Sequence, residues 1–174
     1  MNLNLQSTDF ELFGLPERFE QDHAAIDARW KELQREAHPD RFAAQGAAAQ
    51  RIAMQWSVRI NEAYRRLKEP GKRAAYLCEL RGAPIEAENN TAMPAQFLME
   101  QMEWRESLDD AQGEADLDAL DQQLNRARNQ ALQGIGKLLD QDGDAAAAAQ
   151  QVRALMFIER FGRDIDARLE QLGQ

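Results

Sequence analysis

The stretch "QREAHPDRFAAQG" (residues 34–46) interrupts what otherwise reads as continuous helical sequence. Pro39 has no N–H and biases the residue before it away from the helical region, so a helix arriving from the N-terminal side must end at His38. On that side, residues 22–37 put Ile26, Trp30, Leu33 and Ala37 on one face, behind Asp22 as a good N-cap. On the other side, residues 47–69 carry Ile52, Trp56, Ile60, Ala63 and Leu67 on one face, and Pro70-Gly71 stops the run. Two helices with apolar faces, joined by a short polar loop, predict a helical hairpin. A short segment at 10–15, ended by Gly14 and Pro16, precedes it, and a helix at 72–80 with Tyr76, Leu77 and Leu80 follows.

Further on, "GAPIEAENNTAMP" (residues 82–94) breaks the helical period with glycine, two prolines and two asparagines. We place a domain junction there, with one domain at 1–81, a linker at 82–93 and a second domain at 94–174. The second domain reads as helices at about 94–112, 116–140 and 144–172. The middle one has a stripe of Leu117, Leu120, Leu124, Ala127, Ala131, Ile135 and Leu138. The last has Ala148, Val152, Leu155, Ile158, Ile165, Leu169 and Leu172. No strong period-two segment occurs. The predicted fold class is all-α, a helical hairpin followed by a three-helix bundle.

Composition narrows the function classes. The hydrophobic fraction of 44% suffices for a packed core. One cysteine, Cys78, excludes an internal disulfide and a cysteine-built zinc or iron–sulfur site; two histidines exclude a multi-histidine metal site. No apolar run approaches a membrane span, and the N-terminus lacks the pattern of a secretory signal, so a cytoplasmic setting is expected. The net charge of −9 is unevenly spread: residues 29–73 hold 11 basic and 5 acidic side chains, residues 98–121 hold 1 and 9. Opposed fields of this kind can steer different partners to different parts of one molecule, although solvated helix faces can also differ by chance. Nucleic acid is disfavoured, because no dense basic stripe accompanies a reading motif.

The residues around Pro39 are more specific than a helix stop requires. "KELQREAHPDRF" (31–42) followed by "SVRINEAYRRLKEP" (57–70) resembles the J-domain, the module by which co-chaperones activate DnaK-type ATP-driven chaperones. The resemblance implies that the His38-Pro39-Asp40 loop and a basic helix face dock on the ATP-bound chaperone, with Asp40 meeting an arginine. A carboxylate on a rigid loop suits such a charge-assisted contact. Lys31, Arg35 and Arg41 are the basic candidates, and Arg29 is left open; each taken singly is also an ordinary solvated helix charge. Ala37 stands where many J-domains have an aromatic residue, which predicts looser packing behind the loop. Arg41 stands where lysine is frequent and keeps the charge. Acid–base catalysis by His38 and Asp40 lacks a nucleophile or third member.

"AQFLMEQMEWRESLDDA" (95–111) carries a second signal. At about 100° per residue, Trp104, Leu108 and Ala111 fall within about 40° of Phe97, whereas Leu98, Met99 and Met102 fall at about 100–200°. Glu103, Glu106 and Asp110 lie on or beside that second face. One helix of a three-helix bundle needs a single buried stripe. The surplus face is therefore either a partner-binding patch or a surface covered by the linker or the first domain. Phe157 lies off the centre of the last helix's stripe and gains meaning only if it lies beside Leu98.

Together "LFGLPERF" (12–19), "KRAAYLCELRG" (72–82) and "FLMEQMEWRESLDD" (97–110) resemble the HscB type of J-domain co-chaperone across nearly the whole chain. In that family the C-terminal bundle binds the IscU-type iron–sulfur scaffold, and the J-domain presents it to the specialised chaperone HscA. The resemblance maps scaffold contact onto Leu98, Met99, Met102, Glu103, Glu106, Asp110 and Phe157. Met102 replaces the more common leucine and keeps an adaptable apolar contact, and Asp110 replaces a longer glutamate with a shorter reach for an ion pair. The resemblance implies no enzymatic activity, no resident cofactor and no metal. It lacks the cysteine-rich N-terminal segment of some eukaryotic relatives, which points to a bacterial, zinc-free version. Two alternatives stay open: a J-domain co-chaperone for another client, and a helical assembly protein whose His-Pro-Asp is only a loop.

Overall fold

The computed structural model describes residues 3–173. Among these, seven helices and one 3-10 segment occur and no strand. The helices are α1 (Asp9–Phe13), α2 (His23–Ala37), α3 (Ala47–Lys68), α4 (Pro70–Leu80), α5 (Ala95–Asp110), α6 (Glu114–Asp140) and α7 (Ala145–Leu172), with the 3-10 segment Pro39–Gln45 between α2 and α3. The chain forms two compact units, Met1–Tyr76 and Leu77–Gln174. The division falls inside α4, upstream of the 82–93 linker expected from the sequence.

In the first unit each terminus has a local cause. Thr8 accepts from Glu11 N while the Glu11 side chain accepts from Thr8 N, and Gly14 closes α1 in the left-handed region at φ 62°. Asp22 caps α2 through Ala24 N. Pro70 opens α4, as proline at a first helical position should. Phe10, Leu12, Phe13, Ile26, Ile60, Ala63 and Leu67 are buried in the core.

Polar bonds set the register of the hairpin. Trp30 Nε1 donates to Asn61 Oδ1 at 3.0 Å, Gln34 Nε2 to the same oxygen at 2.6 Å, and Ser57 Oγ to Gln34 Oε1 at 3.0 Å. Tyr64 Oη and Lys68 Nζ bind Asp27, at 2.7 and 2.6 Å. Partners later in α3 match residues earlier in α2, so the two helices are antiparallel. The Lys68 bond and then the Tyr64 bond hold the Asp27 carboxyl below its ordinary value. Asp9, fully buried, accepts two bonds from Arg66 at 2.7 and 2.8 Å. Arg59 Nη1 sits 2.8 Å from Asp9, off line for a hydrogen bond but at ion-pair distance.

The sequence places Ile52 and Trp56 on the buried stripe, yet Ile52 is exposed and Trp56 half-buried. They line an apolar groove of about 500 Å³ together with Leu33, Ala37 and Phe42. The early turns of α3 face the 3-10 segment, and Ala37 is too small to fill the space behind it. Leu80 is likewise exposed, whereas Cys78, two residues earlier, is buried, and burial pushes its thiol up to about 11.

In the second unit α6 buries Leu117, Leu120, Leu124, Ala131, Ile135 and Leu139 against Ala148, Val152, Leu155, Ile158 and Ile165 of α7. Leu139 is buried where the stripe predicted Leu138, which is half-buried; both flank the axis of a 3.6-residue period. Leu172, predicted on the α7 stripe, is exposed in the last turn. Helix α5 contributes two buried side chains, Phe97 and Trp104. They join Phe157 and Phe161 in a closed ring of contacts: Phe97–Trp104 at 5.6 Å, Phe97–Phe157 at 5.7 Å, Phe157–Phe161 at 5.9 Å and Trp104–Phe161 at 6.2 Å. Rings at these separations add stabilisation beyond the area they bury.

Candidate functional site

At the first site, α2 ends at Ala37 and His38 is extended at φ −62° and ψ 128°, the conformation a following proline favours. Pro39 then starts the 3-10 segment. The His38 ring is more than a surface group, since its Nδ1 accepts from Asp40 N at 3.2 Å and caps that segment. The Asp40 carboxylate lies 3.7 Å from the same ring nitrogen, so the backbone and side chain of Asp40 both face the His38 ring. The Asp40 side chain is 92% exposed and has no other partner among the described residues. A free carboxylate is thus held on a segment whose backbone is restrained from both sides.

The basic candidates differ in availability. Lys31 and Arg35 are exposed, four residues apart on α2, with no ion-pair partner among the described residues. Arg41 turns back and donates to the Arg35 carbonyl at 3.3 Å, where a cation suits the end of a helix. Arg29 pairs with Glu32 at 3.0 Å, which reduces its charge for any partner. Sequence reasoning missed the supports behind the loop: the Trp30–Gln34–Ser57–Asn61 clasp and the Asp27–Tyr64–Lys68 group. Their signal was the polar residues bordering each apolar stripe.

At the second site, α5 exposes Leu98, Met99 and Met102 at 54, 67 and 71%. Glu103, Glu106 and Asp110 are exposed on the same helix. Phe157 is placed differently from the sequence reading. It is 7% exposed, packed edge-on against Phe97, and the Arg105 guanidinium stands 5.5 Å from its ring centre. The ring therefore supports α5 from behind. Groups of three or more residues able to hold a metal ion do not occur among the described residues. No helix among them is long and apolar enough to cross a membrane.

A helical hairpin closed by an exposed His-Pro-Asp turn, on one chain with a three-helix bundle, defines the class as a J-domain co-chaperone. A family profile described as "HSCB C-terminal oligomerisation domain" matches residues 93–166. A Ralstonia nicotianae protein named "Co-chaperone protein HscB homolog" is 53% identical over 95% of this chain and 96% of its own. A Burkholderia multivorans protein of the same name is 52% identical over 98% of both. The solved structure "Chaperone HscB from Vibrio cholerae" superposes with a TM-score of 0.80 at 36% identity, covering 95% of this chain and 99% of that one. The chain belongs to the HscB co-chaperone family.

Proposed function

We propose that this chain is a non-enzymatic adaptor in iron–sulfur protein maturation. Its bundle carries an IscU-type scaffold on Leu98, Met99, Met102, Glu103, Glu106 and Asp110, with Phe157 as the ring behind Phe97. Its first unit presents that scaffold to an HscA/DnaK-type chaperone and stimulates the chaperone's ATPase through His38, Pro39 and Asp40, aided by Lys31, Arg35 and Arg41. The observation that carries the reading is the pairing, on one chain, of a restrained free carboxylate with an acid-rimmed apolar face in a different compact unit. The cluster itself belongs to the scaffold, because a single buried cysteine supplies no set of thiolates.

Charge supports a foreign partner for α5 over self-pairing. Two copies meeting through the 98–121 region would oppose 9 acidic and 1 basic side chains per copy, and juxtaposed like charges are unfavourable. A scaffold with a basic rim around an apolar patch fits instead. Tethering scaffold and chaperone sites on one chain raises their effective concentration without chemistry of its own.

The test is steady-state ATP hydrolysis by a purified HscA-type chaperone with this chain, an IscU-type scaffold, or both. Stimulation by the chain alone and a further, more-than-additive rise with the scaffold are expected. Stimulation without any scaffold effect would leave the client assignment wrong, and no stimulation would remove the co-chaperone mechanism.

A further inference from the structure

Arg153, on α7, is the one buried charged side chain among the described residues of the second unit, at 7% exposure. It has no carboxylate partner among those residues. Its three bonds go to backbone carbonyls of the segment before α5: Nε to Ile85 at 3.0 Å, Nη1 to Ala92 at 3.0 Å and Nη2 to Pro84 at 3.4 Å. Burying a guanidinium this way is costly unless its donors are satisfied, and a plain packing role would be met by leucine or methionine. The bonds reach both ends of a segment that doubles back. Within it Glu86 adopts φ 45°, and Asn89 N and Asn90 N donate to its carbonyl at 2.9 and 2.7 Å. Arg153 therefore closes the 84–92 segment on itself and fastens it to α7.

What this does for α5 follows from how little else holds the start of that helix. Pro94 stands at its N-cap and gives no side-chain cap bond. Side-chain cap bonds of that kind hold the first turn of other helices. Phe97 is the sole buried side chain before Trp104, and Gln101 Nε2 to Met93 Sδ at 3.2 Å is a further tie, to a weak acceptor. Leu98 ends this sparsely held first turn and Met99 follows it directly. Ala92, gripped by Arg153, is two residues before the cap.

We propose that Arg153 is a positioning residue for the α5 recognition face: by holding Ala92 it orders the helix turn that presents Leu98 and Met99. The functional half of the inference rests on the reading of that face as the scaffold site. A turn ordered before binding does not have to be ordered on binding, and that difference appears as affinity.

The test uses the full chain with Arg153→Met, which removes every donor at similar length, and Arg153→Lys, which keeps the charge with a single nitrogen. Amide hydrogen exchange reads the turn, and calorimetric titration with an IscU-type scaffold reads the function. In Arg153→Met, exchange over 92–99 should rise about tenfold or more while the α6 core amides at 124–135 keep their protection. Scaffold affinity should fall about threefold to tenfold, with Arg153→Lys between Met and the parent in both readouts. Unchanged exchange over 92–99 in both variants overturns the proposal. So does loss of α6 protection in both, which would make Arg153 a plain core residue. Faster exchange with unchanged affinity overturns the recognition role, provided that Leu98→Ala, Met99→Ala and Met102→Ala together do weaken binding. If that triple substitution leaves affinity unchanged, the scaffold reading of the face fails, and the exchange data alone uphold or overturn Arg153's hold on the turn.

Discussion

The 38–40 loop and the outer face of α5 both meet solvent, but they are built in opposite ways. The loop is short, polar and made by neighbours in sequence: proline restricts the backbone, and the His38 ring caps the amide two residues on. The α5 face is long, apolar and defined by what lies behind it. Its Leu98, Met99 and Met102 are free because Phe97 and Trp104, on the other side, occupy the aromatic ring of contacts with Phe157 and Phe161. A local device tolerates change around it and fails at one residue. A packed device fails by degrees when its support is removed.

That contrast is open to attack. The largest expected effect is Asp40→Ala, which should abolish ATPase stimulation while circular dichroism and the melting temperature stay at parent values, because the side chain is 92% exposed and the backbone N–H that meets His38 is kept. Retained stimulation would show that the loop is not the trigger. Next is Phe157→Ala. Removing a buried ring should cost about 3–5 kcal/mol in urea unfolding of the bundle, with weakened scaffold binding as a consequence of a loosened α5. If binding drops while stability is untouched, Phe157 is a contact residue and its burial misleads. The smallest effect on the fold should come from Leu98, Met99 and Met102 replaced together by alanine. Scaffold affinity should fall about tenfold to a hundredfold, with unfolding free energy changed by no more than about 0.5 kcal/mol. A destabilised bundle would mean that the face is structural after all.

How much of each site was legible differs for the same reason. Pro39 and the two helical periods around it suffice to end α2 at Ala37 and to expose the turn, since those constraints act over a few residues. The α5 wheel separates Phe97 and Trp104 from Leu98, Met99 and Met102, and the burial agrees. Phe157 lies off the centre of the α7 stripe and is nevertheless buried, because such a residue can be covered by a different helix, here by Phe97 and the Arg105 guanidinium of α5. Ile52 erred the other way: its helical phase is right, but the neighbour across from it is Ala37 and a 3-10 segment with too little bulk. The segment at 82–93 reads as a linker by composition, since nothing local announces that a guanidinium more than sixty residues away will bind its carbonyls.

The amino-acid sequence by itself determined the helices, their stops, the His-Pro-Asp turn, the opposed charges of the 29–73 and 98–121 segments and the family resemblance. Each of these depends on backbone preference, residue spacing or composition. Only the tertiary structure decided that Phe157 is a support, that Ile52 lines an open groove, that the compact units divide within α4, and that Arg153 grips the segment before α5. Those depend on which surfaces meet across long stretches of chain, where packing, desolvation and unsatisfied carbonyls select among partners that a local pattern leaves equivalent.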